Sequence, residues 1–500
     1  MNEQGFEMCG IAGMVGASDA NVLRRMLDTM RHRGPDDLGL FVDDGVAIGQ
    51  ARLSIIDVAG GHQPILSEEG GACIVANGEI YNYRQLAEEL GRHSFRTKSD
   101  SEVPLHMYEE EGPALAARLD GMFALAIWEG SNLYLARDPV GIKPLYYAIS
   151  EGTFYFASEI KALLAVTGSG IREFPNGHWY RTDMGFRRFS SWPTSIHAEM
   201  DPVAAAREIR RLLEAAVEKR LMSEVPLGAF CSGGLDSALV TALAARHLDA
   251  FHTFSTGMAG APDLESALRA SEHLGTTHHI REFTEDEVLE QLPRVIWHLE
   301  SFDAALVRSA VPTYFVAELA SRYVKVVLTG EGADELYAGY RYLRDFAPEA
   351  LHSELARITS ALHNLNLQRT DRMTMAHSIE GRVPYLDWTH LGFALAIRVE
   401  WKVGGSPRVE KWILRQVAEG ILPEDLVWRG KQKFAEGTGS VDVIRREAER
   451  QLSDREFDRI REEAHPIEVR TKEEAYCYGL FRERFPKEVA LECLGRTAIY

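Results

Sequence analysis

Apolar residues in the first part of the chain come in short runs, alternating or continuous, closed off by Gly, Asp, Asn or Pro. GIAGMVG, GVAIGQ, CIVANGEIYNY, MFALAIW, LYLARD and TFYFASE all have this form. Such runs predict short strands, and their succession predicts antiparallel or sandwiched sheets. VLRRMLDTMRHR and YRQLAEELGRH carry apolar residues at helical spacing and predict helices.

The pattern changes after SSWPTSIHAEMDP (190–202), whose two prolines and small polar residues predict a linker. We place the domain boundary there, with one domain over 1–195 and a second over 196–500. AAAREIRRLLEAAVEKRL predicts a helix. VPLGAF predicts a short strand, followed by a glycine turn and the helix DSALVTALAARHL. HTFSTGM and VKVVLTG predict further buried strands with helices between them. Strands alternating with helices predict an α/β domain with a parallel sheet. The last hundred or so residues are mainly helical in pattern, and no internal repeat is visible.

Composition narrows the function. The 500 residues, 45% of them hydrophobic, are too many for one ordinary core. The formal charge of −19 argues against a general nucleic-acid or anionic-membrane binder. Five widely spaced cysteines with no CxxC pair give no disulfide or zinc framework and fit a reducing compartment. No apolar run is long enough to span a bilayer, and MNEQGFEMCG lacks the features of a secretory signal. The expected location is the cytoplasm.

The most informative stretch is Ser232-Gly233-Gly234-Leu235-Asp236-Ser237, between a predicted strand and a predicted helix. Two glycines let the backbone approach a phosphate, and the helix N-terminus points N–H groups at it. Ser232 and Ser237 add hydroxyl donors. Asp236 would repel a phosphate unless a cation sits between them, so it implies Mg²⁺. No Gly-Lys-Ser/Thr follows, so this is not a Walker A loop. It matches the pyrophosphate loop of enzymes that split ATP between the α and β phosphates. The plainer alternative is a Gly-Gly turn capping a helix. Thr329-Gly330-Glu331-Gly332-Ala333-Asp334-Glu335 follows the strand VKVVL and would face the ligand crevice at that strand's carboxyl end. Its acidic residues suit a metal and an acid/base group, with Asp334 as the second magnesium ligand. Alone, it would read as an acidic turn.

Met8-Cys9-Gly10-Ile11 is the second signal. A lone cysteine is usually a small buried apolar residue. A start at Met8, with that methionine removed, would leave Cys9 a free α-amine of reference pKa about 7.7–8.0. That amine can take the thiol proton, so the nucleophile needs no separate histidine. The chain begins seven residues earlier, at Met1, and retaining them would lock the amine in a peptide bond. A start at Met8 is the preferred reading. Removal of the first residues, or a silent nucleophile, are the alternatives. Arg52 could clamp an α-carboxylate, Asn77 and Gly78 could supply oxyanion donors, and Asp100 could bind an α-ammonium. Each taken singly also reads as a surface salt bridge or turn residue.

Together these residues resemble the glutamine-hydrolysing asparagine synthetases. MCGIAG, RHRGPDD, ARLSIID, ANGEIYNY, SDSE, GMFALAIW, RDPVGIKPLYY and FASEIKALL are similar to that family's class II glutamine amidotransferase domain. SGGLDS, TGEGADELYAGY, DRMTMAHSIEGRVPYLD and KQKFAEG are similar to its synthetase domain. The similarity runs in order from Met8 to about Phe485. It implies an α+β N-terminal domain, a four-layer αββα glutaminase of the Ntn-hydrolase type. It also implies an α/β C-terminal parallel-sheet adenine-nucleotide domain with added helices, and an ammonia tunnel between the two sites.

By this resemblance Cys9 is the nucleophile, and Arg52, Asn77, Gly78, Glu79 and Asp100 bind glutamine. Cys231, Thr256, Thr329 and Gly330 lie beside the nucleotide. Asp236 and Asp334 hold magnesium pyrophosphate, Glu331 assists chemistry at the activated carboxylate, and Lys431 neutralises charge developing on phosphate. Arg372 stands where many relatives have lysine and belongs to the same pyrophosphate site. The reaction implied is ATP- and glutamine-dependent amidation of L-aspartate through an acyl-adenylate, releasing AMP, pyrophosphate and glutamate. Partners are then small molecules, and a homodimer is a common family state.

One segment departs from the family pattern. Where the family reads roughly Asp-x-Thr-Thr-x-Arg-Ala-Ser around the aspartate pocket, this chain reads Asp303-Ala304-Ala305-Leu306-Val307-Arg308-Ser309-Ala310. Arg308 remains to grip a substrate carboxylate, but Ala305 and Leu306 replace two hydroxyl partners. Lost donors can redirect specificity. A different carboxylic acid, in secondary metabolism, is therefore the alternative acceptor. A non-catalytic homologue is the alternative of another class, and it predicts damaged motifs.

Overall fold

The computed structural model describes residues 9–192, 200–405, 408–430 and 434–497. The boundary drawn at 195/196 lies outside them, as does most of the segment read as a linker.

The first strands are β1 (Gly10–Val15), β2 (Asp37–Asp43), β3 (Val46–Arg52), β4 (Ile65–Leu66), β5 (Ala72–Ile80) and β6 (Gly121–Glu129). They are followed by β7 (Asn132–Arg137), β8 (Tyr146–Ser150), β9 (Thr153–Ala157), β10 (Arg172–Glu173), β11 (His178–Arg181) and β12 (Gly185–Arg188). They pair into two antiparallel sheets, ordered β10-β8-β9-β1-β3-β2 and β12-β11-β7-β6-β5-β4.

Alternation along each strand sorts side chains between the two faces. Ile11, Val46 and Ile48 of one sheet meet Val75, Ala124 and Leu135 of the other in a shared core. On the first sheet's outer face, Ala12, Met14 and Ala47 pack on Leu23, Met26 and Leu27 of the helix Ala20–Asp28. On the second, Ile74, Leu125 and Ile127 pack on Leu86, Leu105 and Met107 of the helices Tyr83–Glu89 and Val103–Glu111. The result is four layers, αββα.

The C-terminal half is built on β13 (Leu227–Phe230), β14 (His252–Gly257), β15 (Thr277–Glu282), β16 (Val326–Leu328) and β17 (Glu380–Arg382). All pairings are parallel, in the order β15-β14-β13-β16-β17. Strand order reverses at β13, so the crevice between the carboxyl ends of β13 and β16 is the topological switch point. The loops leaving those two strands are SGGLDS and TGEGADE. Among the described residues no helix is long and apolar enough to cross a membrane.

An apolar cluster and a buried ion cluster help to lock the halves together. One apolar cluster contains Leu53, Ile55, Tyr81, Met122 and Ile142 from the first half and Leu227, Cys231, Leu235, Leu328 and Leu386 from the second. Beside it lies a buried ion cluster. Arg33 pairs with Glu159 at 2.8 Å and Asp371 at 2.7 Å, and Lys161 with Glu159 at 2.6 Å and Glu300 at 3.1 Å. Arg372 completes it, 3.0 Å from Glu300 and 2.9 Å from Asp371. Removing one member of such a cluster leaves a buried unpaired charge, which costs about 3–5 kcal/mol.

Two candidate active sites and the seam between them

The first site is the open end of the αββα sandwich. Cys9 has the parity of Ile11, and Arg52 that of Val46 and Ile48, so both continue the inner face of the first sheet. Asn77 and Glu79 have the parity of Cys73 and Val75 and continue the inner face of the second. Cys9, Arg52, Gly78, Glu79 and Asp100 line one cavity, together with Glu380 of the C-terminal half. Asn77 is buried next to them, and its amide nitrogen has no hydrogen-bond partner among the described residues.

The Cys9 thiol accepts from Leu53 N–H at 3.3 Å and faces the Leu53 carbonyl at 3.5 Å. Burial pushes it up to about 11, against the pull of the Leu53 backbone and Arg52. It therefore holds its proton at neutral pH and needs a base. The Arg52 guanidinium is buried and held by backbone carbonyls, that of Asp57 at 2.8 Å. Gly78 has φ +137, and a Cβ there would meet the Met122 carbonyl oxygen at 1.9 Å, so only glycine fits this turn of the strand. Asp100 accepts from Ile80 N–H at 2.7 Å, yet burial still raises its carboxyl to about 6. Burial also raises Glu79 well above the usual range.

A chain of charges crosses the seam behind this cavity. Asp138 accepts the backbone N–H groups of Gly141, Ile142 and Lys143 at 2.7, 2.9 and 3.0 Å. That turn aims Lys143 at Glu380, 2.9 Å away. Glu380 in turn accepts from Arg382 at 2.8 Å, and Arg382 reaches Glu79 at 3.2 Å. Burial would raise Glu380, but Lys143 and Arg382 outweigh it and hold its carboxyl low.

The second site is the switch-point crevice. Gly233 has φ +70, and a Cβ there would meet the Ser266 backbone at 2.2 Å. The loop then enters the helix Leu235–Ala245 at Gly234. Ser232 and Ser237 hydroxyls lie 3.2 Å apart. The opposing loop comes close: a Cβ on Gly330 would meet Ser237 N at 2.9 Å and Asp236 Cβ at 3.0 Å. Asp236 and Asp334 are thereby brought together, and the buried Lys411 ammonium lies 2.5 Å from a carboxylate oxygen of each. Glu331 pairs with Arg369. Glu335 accepts from Tyr340 at 2.5 Å, and burial with Asp334 beside it raises its carboxyl to about 7. Cys231 and Thr329 are buried at the strand ends, and Thr256 donates to the Arg281 carbonyl at 2.6 Å.

The sequence matches two family models, the glutamine amidotransferase domain over residues 8–208 and asparagine synthase over 208–349 and 345–489. It is 38% identical to asparagine synthetase B [glutamine-hydrolyzing] of Escherichia coli, covering 97% of this chain and 93% of that one. It is also 38% identical to a probable asparagine synthetase [glutamine-hydrolyzing] of Schizosaccharomyces pombe, covering 97% and 94%. Asparagine synthetase [glutamine-hydrolyzing] 2 of Arabidopsis thaliana is 36% identical over 97% and 88%. The chain belongs to the asparagine synthase family. As a member it is an ATP-using carbon–nitrogen ligase.

Two family positions stand away from the crevice cluster. Arg372 is fully buried in the interdomain ion cluster, where carboxylates surround it. Arg308 donates to Glu473 of the helix Lys472–Arg482 at 2.7 Å. In the departing segment, Ala305 is exposed and Leu306 is buried in a core with Phe302, Val307 and Phe481. The two replaced hydroxyls thus fall at one solvent-facing and one core position. Lys431 lies outside the described residues. Lys411, Arg369, Glu335 and Glu380 were not singled out from the sequence. Glu335 sat at the end of a loop already marked. The others lie far along the chain from the motifs they meet.

Proposed function

We propose that this asparagine synthase family member converts L-aspartate to L-asparagine, using glutamine as nitrogen donor and ATP as activator. The relatives reported above are named as glutamine-hydrolyzing asparagine synthetases. What supports the proposal most in this chain is the continuous apolar cluster between the two sites. Cys9 packs against the cluster that also holds Cys231, Leu235 and Leu328 at the base of the crevice.

In this reading, the free α-amine of a Cys9 that has become the first residue takes the thiol proton. The thiolate attacks the glutamine amide carbon, with Asn77 and Gly78 donating to the oxyanion. Arg52 holds the α-carboxylate, and Asp100 and Glu79 hold the α-ammonium end. The α-ammonium returns its proton to the amide nitrogen, so ammonia leaves and a thioester remains, which water cleaves to glutamate and the free thiol. Ammonia protonated in water has no lone pair to attack with, so an apolar route between the sites keeps it reactive. A carboxylate is a poor electrophile until adenylation supplies AMP as leaving group. Ser232, Gly233, Gly234 and Ser237 cradle the phosphates, while Cys231, Thr256, Thr329 and Gly330 line the nucleotide. Glu331 assists at the acyl carbon, and Lys431 neutralises charge on phosphate.

In this reading Asp236 and Asp334 would hold a magnesium ion through their carboxylate oxygens, hard donors close enough to share one cation, the Lys411 ammonium at 2.5 Å from each. Bound there with pyrophosphate, Mg²⁺ would offset the charge of the leaving group.

The test is a pyrophosphate and AMP release assay across carboxylic acids, run with glutamine and with ammonium. L-Aspartate is expected to give stoichiometric AMP, pyrophosphate and asparagine. Preference for another acid would overturn the acceptor. ADP and orthophosphate as products would overturn the adenylation.

A further inference from the structure

We propose that His93, His106, Glu109 and Glu68 form a transition-metal site of zinc type on the outer helical layer of the N-terminal domain. The Nδ1 atoms of both histidines face the same carboxylate: Glu109 Oε2 lies 2.8 Å from His106 Nδ1 and 3.7 Å from His93 Nδ1. Glu68 Oε1, from the turn between β4 and β5, lies 3.9 Å from His93 Nδ1. The candidate donors of His93, His106 and Glu109 all fall within 4.8 Å of one another. A tetrahedral zinc ion with bonds of about 2.0–2.2 Å needs donors about 3.4 Å apart. The three separations of 2.8, 3.7 and 3.9 Å bracket that value and the donors of His93, His106 and Glu109 stay within 4.8 Å, so side-chain rotations would close the site. Two imidazoles and two carboxylates form a borderline donor set suited to Zn²⁺, and the two carboxylates match its charge.

The surroundings carry the argument beyond a simple ion-pair cluster. Each histidine has its second ring nitrogen on a different carboxylate. His106 Nε2 lies 3.3 Å from Glu102, which is fully buried, and His93 Nε2 lies 2.8 Å from Glu110. A carboxylate behind each imidazole fixes the tautomer that leaves Nδ1 to the metal, as in metal-ligating histidines generally. The rings are already close and tilted 30°, centroids 4.5 Å apart. His106 and Glu109 sit one helical turn apart, which holds their spacing. With Glu68, which also accepts the Ser94 N–H, drawn in beside those three donors, the coordination sphere would close and the site would be structural. It would staple the β4–β5 turn and the His93 loop to the helix Val103–Glu111.

The experiment uses the full-length protein, stripped with chelator and titrated with Co²⁺ as a spectroscopic probe and with Zn²⁺. One Co²⁺ per chain is expected, with tetrahedral d–d bands and no thiolate charge-transfer band. His93→Asn and Glu109→Gln, both at partly exposed positions, should each abolish those bands. Glu110→Gln should weaken affinity by about 10–100-fold. Zn²⁺ should raise the melting temperature of the unmodified protein but of neither ligand variant. Uptake and spectrum unchanged in His93→Asn and Glu109→Gln would overturn the proposal. So would a spectrum dominated by thiolate charge transfer, or no uptake at micromolar ion.

Discussion

The two candidate sites treat charge in opposite ways. In the Cys9 cavity, Asp100 and Glu79 are buried carboxylates whose proton affinity is raised by desolvation. In the crevice, Asp236 and Asp334 already share the ammonium of Lys411. On the proposed reading, the first site would receive a positive group from its substrate at Asp100, while Arg382 already stands 3.2 Å from Glu79. The second would meet a polyphosphate, which arrives with excess negative charge, with a cation supplied by the protein. A desolvated anion costs free energy until a cation joins it, and that cost becomes selectivity for an ammonium group. An internal cation between two carboxylates instead holds the anions in place while phosphates approach.

The largest effects should separate the sites outright. Asp236→Ala is expected to abolish pyrophosphate release with glutamine and with ammonium alike. Cys9→Ala should abolish only the glutamine-driven reaction and spare the ammonium-driven one. A Cys9→Ala protein that hydrolyses glutamine normally would remove Cys9 from the chemistry. Chains whose intact mass retains residues before Cys9 should behave like Cys9→Ala, since the thiol at about 11 then lacks its amine base.

Lys411→Met removes the crevice's internal cation. Losing one such electrostatic stabiliser typically costs roughly 100-fold in turnover. Pyrophosphate release should fall on that scale while glutamine hydrolysis persists. Near-normal pyrophosphate release would mean that Lys411 merely packs the loop.

The pocket that waits for charge should show it in pH. Asp100 is raised from 3.8 to about 6 by burial. Above pH ~6 it is ionised and can hold the substrate ammonium; below, it binds a proton instead. The KM for glutamine should therefore rise as pH falls through about 6, by up to tenfold per unit. Asp100→Asn should have a high and pH-independent KM over the same range. A flat wild-type profile would show that Asp100 does not bind the ammonium.

Much of this contrast was legible in the sequence because it is local. SGGLDS and TGEGADE each lie between a strand and a helix, so strand–turn–helix reasoning located both. β5 and β6 announced themselves by apolar runs. β15, THHIRE, was not read because its polar residues lie on a sheet edge, and β17 is only Glu380–Arg382. Yet β17 carries the charges that reach Glu79 across the seam. Arg372 looked like a phosphate ligand, but its environment is set by Glu159, Glu300 and Asp371. Glu159 and Glu300 lie far from it in the chain, and sequence spacing does not encode that encounter. Lys411 is missing from sequence reasoning for the same reason: it stands 175 positions from Asp236.

The smallest expected effect concerns a carboxylate that already has its partners. Glu173 on β10 sits between Arg137 at 2.8 Å and His363 of the C-terminal half at 2.7 Å. Burial would raise it, but His363 and Arg137 outweigh that and hold it at about 2, against 4.5 for the free side chain. Its folded-state pKa lies below the unfolded one, so its contribution to stability is present above about 4.5 and lost as pH falls towards 2. The full shift would correspond to roughly 3 kcal/mol, but the His363 share acts only when the imidazole is protonated, so less remains at neutral pH. Glu173→Gln should lower the urea midpoint at pH 7, and the difference from wild type should shrink steadily between about pH 4.5 and 2. Asp100→Asn should show the opposite sign in stability, because a raised carboxyl destabilises the fold once ionised and the amide relieves it. If both substitutions shifted the midpoint in the same direction at pH 7, the division between waiting and satisfied carboxylates would fail.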